Sequence, residues 1–291
     1  MLRRSRIRSH QVAASASPVE QPARRYTLAK KQPETTAALS LSPSSRETPM
    51  HTLPEEHYLD AHLLRLQHQG YTLVPNALSP DQLASIRARF DELVADHPNV
   101  STAVHDPAIG TVDLNRLYEL DPVFECLMDL PTVFSIARAA MQNDITLLGG
   151  SIGHYLPAGA PSPMRWHRDG DYLRFTYLLD DLAPDGGGTA LLPGSHRSPD
   201  PPPDWFHGTQ GTPRAIPGAV HLAGPAGTCM INWTQLWHTR TPNHADRPRR
   251  LIWQVFKRAD QALTANETLR LSQAYIETQT APQRRALMGL A

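Results

Sequence analysis

The sequence predicts a mostly β protein with flanking helices. Runs rich in aromatic, β-branched and large apolar residues recur at 172–179, 228–233 and 249–257. Helical apolar spacing is confined to segments outside these runs, at 59–68, 79–95 and 123–141. Turn clusters separate the strand runs: Asp185-Gly186-Gly187-Gly188, then Pro193-Gly194, then Pro199 to Pro203.

Residues 1–49 are Arg-, Ser-, Ala- and Pro-rich and lack apolar periodicity, so a disordered extension is expected. They hold nine Lys/Arg and three Glu, and the first acidic residue is Glu20. This composition resembles an organellar transit segment; the preferred reading is a start assigned too far upstream, with Met50 opening the folded pattern. An apolar h-region is missing, which argues against a secretory signal. Residues 50–291 are expected to form one folded domain.

Within it, Leu59 to His68 has helical spacing and stops before Gly70, a suitable C-cap. Residues 71–74 read as a first strand. Ser79-Pro80-Asp81 supplies an N-cap, a proline at N1 and an acid in the first turn. That helix should reach about Ala95 and bury Leu83, Ile86, Phe90 and Leu93. Val123 to Met141 predicts one or two helices broken near Pro131. Pro199 to Pro203 reads as a loop between core strands, of the kind that shapes a substrate mouth. Residues 269–290 read as a peripheral helix.

The 291 residues carry no formal net charge, which argues against non-specific nucleic-acid binding by the body of the protein. Cys126 and Cys229 sit in apolar runs and read as small core hydrophobes, not a disulfide. This fits a reducing compartment; the cytoplasm is expected, or an organelle if residues 1–49 are a transit segment. With no run of about 18 apolar residues, no membrane span is expected. The sequence sets no oligomeric state.

The chemistry is concentrated in Trp166-His167-Arg168-Asp169, Trp237-His238 and Arg249. His-x-Asp alone is a weak signal, because 14 His and 28 acidic residues supply chance pairs. On a strand, however, residues i and i+2 share a face, so one strand can offer two ligands to one metal. A distant histidine on a neighbouring strand supplies a third. Two His and one carboxylate on one face of an octahedron leave three positions open, as in non-haem Fe(II) oxygenases. The same donor set also suits catalytic zinc in a hydrolase.

The order of motifs is more specific. His167-x-Asp169 is followed by Gly-Gly-Gly-Thr-Ala-Leu-Leu-Pro-Gly-Ser-His at 186–196, then His238-x-x-x-x-Asn243, then Arg249. Over roughly residues 56–260 this resembles the phytanoyl-CoA dioxygenase family. The resemblance implies a double-stranded β-helix (jelly-roll, cupin-like) core. It implies Fe(II) held by His167, Asp169 and His238, with 2-oxoglutarate and O2 as cosubstrates. It also implies that Arg249 clamps the distal carboxylate of 2-oxoglutarate, a role that suits a guanidinium. Arg247 and Arg250 compete for that role. Strand alternation lets only one of Arg249 and Arg250 face the interior, and the family spacing selects Arg249.

The chain departs from the family in two places. A small polar residue is common two positions after the distal His, where this chain has Arg240. Many relatives bind the cosubstrate with a Lys upstream of His-x-Asp, but this chain has no Lys between Lys31 and Lys257. Thr176 is the candidate to rebuild that contact. Asp169 is retained, which favours hydroxylation over halogenation. The implied activity is hydroxylation of an unactivated C–H bond of a small organic molecule, with succinate and CO2 released. Its rivals are desaturation, epimerisation or cyclisation by the same iron chemistry, and a non-catalytic jelly-roll binding protein. His196 reads as structural. His154 and Tyr155 read as pocket lining or a strand-edge pair, and Trp166, Trp237 and Trp253 as walls that keep water out.

Overall fold

A computed structural model describes residues 55–208, 213–262 and 271–290. The expectations for residues 1–49 lie outside the described residues. The chain runs α1 (Glu55–His68), β1 (Tyr71–Val74), α2 (Pro80–Ala95), β2 (Ala103–Asp106), β3 (Thr111–Asn115), α3 (Leu117–Leu120), α4 (Pro131–Met141), β4 (Ile145–Leu156), β5 (Leu173–Leu178) and β6 (Thr189–Leu191). It continues with β7 (Val220–His221), β8 (Cys229–Trp233), β9 (His238–Arg240), β10 (Arg249–Arg258), α5 (Gln273–Thr278) and α6 (Pro282–Leu287). Seven strands form one antiparallel sheet in the order β1-β8-β5-β10-β4-β3-β2, and three form a second in the order β7-β6-β9. The result is a jelly-roll core that does not close into a barrel.

Alternation along β5 and β10 builds this architecture. Leu173, Phe175 and Tyr177 of β5, with Ile252 and Phe256 of β10, are buried on the outer face of the large sheet. Helix α4 packs Phe134 edge-on against Phe175 and Phe256, with ring centroids 5.5 Å and 5.4 Å away. Such aromatic pairs add about 0.5–1.5 kcal/mol beyond their area burial. Helix α2 starts where Ser79 predicts. Its Oγ accepts from Gln82 N at 3.2 Å, while Gln82 Oε1 accepts from Ser79 N at 2.9 Å. Ile86, Phe90 and Leu93 join the core, and Leu83 is half-buried.

The inner face carries the opposite residue set. Arg174 and Thr176 of β5 and Arg249, Leu251 and Trp253 of β10 line a cleft of about 200 Å³ with residues of β6 and β9. Strand β4, the longest, crosses beside β10 and has no regular apolar pattern to reveal it. Its register with β10 slips between Gln254 and Val255, opposite Gly149 and Gly150. Both glycines have positive φ, +72° and +78°. A side chain at either would be strained even where space is open, so this bulge needs glycine.

The C-terminal segment differs from the peripheral helix expected. It is two short helices interrupted before Pro282, and residues 263–270 lie outside the described residues. Leu271, Leu287 and Met288 are buried in the main core. Arg284 fastens the segment from the surface through ion pairs with Glu125 and Asp129. Among the described residues, no helix is long and apolar enough to cross a membrane.

Candidate active site

His167 and Asp169 are not on a regular strand, although the i, i+2 argument placed them there. His167 makes an isolated antiparallel bridge to His238: each backbone N–H donates to the other's carbonyl at 2.9 Å. Asp169 N then donates to Thr234 O at 2.9 Å, so the two segments run side by side without a continuous ladder. Gly170, directly after Asp169, leads into a bend that a flat strand would not permit. The outcome for the side chains is the predicted one. Ligand atoms of His167, Asp169 and His238 all lie within 4.8 Å of one another.

Both imidazoles are oriented by the backbone. His167 Nδ1 donates to Arg165 O at 2.8 Å, and His238 Nδ1 donates to Leu236 O at 2.7 Å. With Nδ1 donating to a backbone carbonyl, each ring turns Nε2 towards the carboxylate. Fixing the tautomer through the remote nitrogen is what a metal-binding His needs. Burial lowers the His238 pKa, so a free lone pair is favoured at neutral pH.

Asp169 is held ionised. Burial pushes its carboxyl up, but the neighbouring His238 and the Arg174 charge outweigh this and bring it down to about 2. Arg174 was visible in the sequence only as part of a strand, and its role was not foreseen. Its Nη2 donates to Asp169 Oδ2 at 2.8 Å and its Nη1 to His238 Nε2 at 3.2 Å. Its guanidinium lies 5.4 Å from the Trp253 ring centroid, a cation–π distance. A metal on His238 Nε2 would take that lone pair and leave Arg174 bonded to the Asp169 carboxylate. The signal for Arg174 was an arginine two residues before Thr176, on the same face of an apolar strand.

Further along the cleft, Arg249 is 4% exposed, and its Nε and Nη2 have no hydrogen-bond partner among the described residues. These N–H groups share one edge of the guanidinium and form the parallel fork that a carboxylate fills. Burial, reinforced by the charge of Arg240, pushes Arg249 down to about 9, so it remains a cation at neutral pH. Thr176 and Trp253 face the same cleft, as do His154 and Arg240. His154 therefore lines the pocket, whereas Tyr155, on the other face of β4, packs against the core. Asp113, on a strand that the sequence pattern did not reveal, hydrogen-bonds His154.

The other motif residues are scaffolding. Ser195 Oγ donates to Leu192 O at 2.6 Å and accepts from Trp237 N at 2.8 Å, bracing the residue before His238. His196 reaches Gln67 O of α1 at 3.3 Å, in keeping with a structural role. Asn243 is fully buried and donates to Pro157 O and Arg247 O, both at 2.9 Å, which fixes the approach to β10. Gly187, with φ +77°, allows the turn to approach Asn243; an added Cβ would sit 2.8 Å from Asn243 Cβ. Trp166 is buried against Phe206.

A sequence model of phytanoyl-CoA dioxygenase matches residues 66–251, well over half of the chain. The chain belongs to the phytanoyl-CoA dioxygenase family. That membership places it among the Fe(II)/2-oxoglutarate-dependent oxygenases. Ectoine dioxygenase of Nocardia farcinica (strain IFM 10152) is 23% identical over 237 residues, covering 69% of this chain and 78% of that protein. The epimerase SnoN, solved with Fe3+, alpha ketoglutarate and nogalamycin RO, has TM-score 0.58 and 19% identity, covering 76% of this chain and 98% of its own. EctD from S. alaskensis, solved with 2-oxoglutarate and 5-hydroxyectoine, has TM-score 0.58 and 20% identity, covering 70% and 77%. At these identities the solved structures speak for the shared jelly-roll fold. Family membership and the cleft geometry bear on the chemistry.

Proposed function

We propose that this protein is an Fe(II)- and 2-oxoglutarate-dependent hydroxylase that oxidises an unactivated C–H bond of a small organic molecule. One observation carries the reading. A two-His, one-carboxylate cluster shares its cleft with a buried arginine whose bidentate edge has no partner among the described residues. The cluster suits a metal that needs open positions, and the arginine suits a dicarboxylate.

In this proposal His167, Asp169 and His238 hold Fe(II), which with 2-oxoglutarate and O2 supplies the oxidant, one oxygen atom entering succinate and the other the product. The protein's own contribution is orientation. The backbone carbonyls of Arg165 and Leu236 set the imidazole tautomers, and Arg174 steadies the carboxylate of Asp169. Arg249 takes the distal carboxylate of the cosubstrate and Thr176 lies alongside, which fixes the keto-acid end relative to the ligands. Trp253 and Leu251 present apolar surface to the cleft and keep water from the reacting carbon. Asp169 keeps an oxygen ligand where halogenating relatives free a position, which supports oxygen delivery. Ectoine compounds and nogalamycin, named with the similar proteins, are small organic molecules and support that substrate class.

The test is an anaerobic titration of the Fe(II)-loaded protein with 2-oxoglutarate, followed by O2 and a panel of small metabolites. A visible metal-to-ligand charge-transfer band is expected, then succinate release and a product heavier by one oxygen atom. A product two hydrogens lighter, or unchanged in mass, would replace hydroxylation with desaturation or epimerisation. Undiminished coupled turnover by His167→Ala would remove the metal assignment.

A further inference from the structure

We propose that Arg240 and Arg249 together form the carboxylate site, so that the remote carboxylate of the 2-oxo acid is held by two guanidiniums. This rests on the cosubstrate reading above and extends it to a residue that the family pattern does not supply.

Arg240 is two residues after His238 on β9, and both side chains enter the cleft. A long cation at a cleft edge normally turns out to water, but this one is tied inward. Its Nη1 donates to His154 Nε2 at 3.0 Å, and its Nε lies 3.3 Å from Ser162 Oγ. A guanidinium can only donate, so His154 Nε2 is the acceptor and its Nδ1–H is directed to Asp113. Asp113, His154 and Arg240 thus form an oriented chain across β3, β4 and β9. His154 is 8% exposed, and burial lowers its pKa, which keeps it the neutral acceptor that the chain requires.

The charges then demand an anion. Arg240 and Arg249 are held in one cleft, close enough for the charge of Arg240 to reach Arg249. Asp113 lines the same cleft and its charge reaches both arginines, but its carboxylate hydrogen-bonds His154, while Asp180 pairs with Arg250 and Asp169 with Arg174. Among the described residues no carboxylate pairs directly with either guanidinium, and the single charge of Asp113 leaves the two cations in excess, so an entering anion is favoured. One carboxylate can serve both, because its two oxygens offer about four lone-pair positions. Two accept the Nε and Nη2 fork of Arg249, and another remains for Arg240. Because His154 already fixes the Arg240 side chain, little side-chain entropy is lost on binding. This arrangement also supplies positive charge in a chain that lacks the upstream Lys.

The test compares two acids of equal chain length, 2-oxoglutarate and 2-oxopentanoate, the second ending in a methyl group. Each is titrated calorimetrically into Mn(II)-loaded full-length protein without O2, so no turnover is needed. Arg240→Gln is expected to weaken 2-oxoglutarate by about tenfold or more, the usual size for a charge-assisted hydrogen bond, and to leave 2-oxopentanoate within about twofold. Arg240→Lys should recover part of the loss. His154→Leu, a change at a positioning residue, should give a smaller loss with the same selectivity between the acids.

Equal weakening of both acids by Arg240→Gln overturns the proposal, because the residue then only shapes the cleft. Unchanged 2-oxoglutarate affinity in both Arg240 variants also overturns it and assigns Arg240 to the substrate. Should Arg240→Gln fail to fold, Arg240→Lys decides by the same comparison. Wild-type protein that binds Mn(II) but neither acid overturns the cosubstrate reading itself, and this proposal with it.

Discussion

Arg249 and Arg250 are adjacent on β10 and leave it on opposite faces of the sheet. Arg249 turns into the cleft with Nε and Nη2 unpartnered, whereas Arg250 is gripped by Asp180 and Asp91 on the helical side. The two should therefore fail differently. Arg249→Gln is expected to weaken 2-oxoglutarate binding by about 100-fold, within the range for truncating one side of a buried charge pair, with a small change in stability. Arg250→Gln should lower unfolding free energy by about 2 kcal/mol, between the exposed and fully buried limits for ion pairs, and leave 2-oxoglutarate affinity close to wild type. Calorimetric titration and urea denaturation of both variants check this. Equal loss of affinity in the two would contradict the division of roles.

Removing a candidate ligand should appear in metal binding before any turnover is measured. His238 is nearly inaccessible, and its Nε2 is within 3.5 Å of Asp169 Oδ2. His238→Leu is expected to cost at least 100-fold in Mn(II) or Fe(II) affinity, more than the 10–100-fold typical of losing an outer partner of a ligand. Equilibrium dialysis at neutral pH reads the effect. Metal affinity retained within threefold would remove His238 from the set.

The legibility of this site in the sequence follows from how each residue is placed. The three candidate ligands lie in short motifs whose order can be read along the chain. The choice between Arg249 and Arg250 needed only strand alternation and a family spacing. Arg174 was missed because an arginine on a strand normally marks a solvent-facing position; its inward direction depends on Trp253 of β10 lying beside it. Asp113 was missed because β3 is five residues long and pairs with β4, itself interrupted by Gly149, Gly150 and Gly153. Glycine removes the side-chain periodicity on which strand reading depends. The outer helices were readable through Ser79 and Pro131, which punctuate the chain locally. The burial of Leu287 and Met288 was not, because it depends on a surface formed by distant segments.

Ser195 links the Pro-Gly-Ser-His segment to the distal histidine. Its Oγ accepts from the Trp237 backbone N–H at 2.8 Å, and the residue is 8% exposed. Ser195→Ala leaves that N–H without a partner, and a buried donor left unpaired costs about 1–3 kcal/mol. Thermal unfolding should fall accordingly, and metal affinity should weaken because His238 is the next residue. Ser195→Thr, which keeps the hydroxyl, should recover most of both. An alanine variant with wild-type stability would show that water replaces the hydroxyl.

Acid should destabilise the fold through His62, far from the cleft. His62 is fully buried, its Nδ1 lies 2.7 Å from Thr72 Oγ1, and the Tyr58 ring meets it edge-on at 4.5 Å. Burial, followed by the charge of Arg65, pushes its pKa down to about 4. The unfolded imidazole takes up its proton near pH 6.5, so between these values the unfolded chain binds more protons than the folded one. The contribution of His62 to stability is therefore complete above about pH 6.5 and is lost as pH falls towards 4. The loss should amount to about 2 kcal/mol by pH 5, from about 1.4 kcal/mol per pKa unit. Other buried histidines also titrate, so the decisive quantity is the difference between wild type and His62→Leu. Urea denaturation with EDTA at pH 7.5 and pH 5.0 should show the variant losing about 2 kcal/mol less than wild type across that interval. Equal losses in the two proteins would show that His62 reaches water before it is protonated.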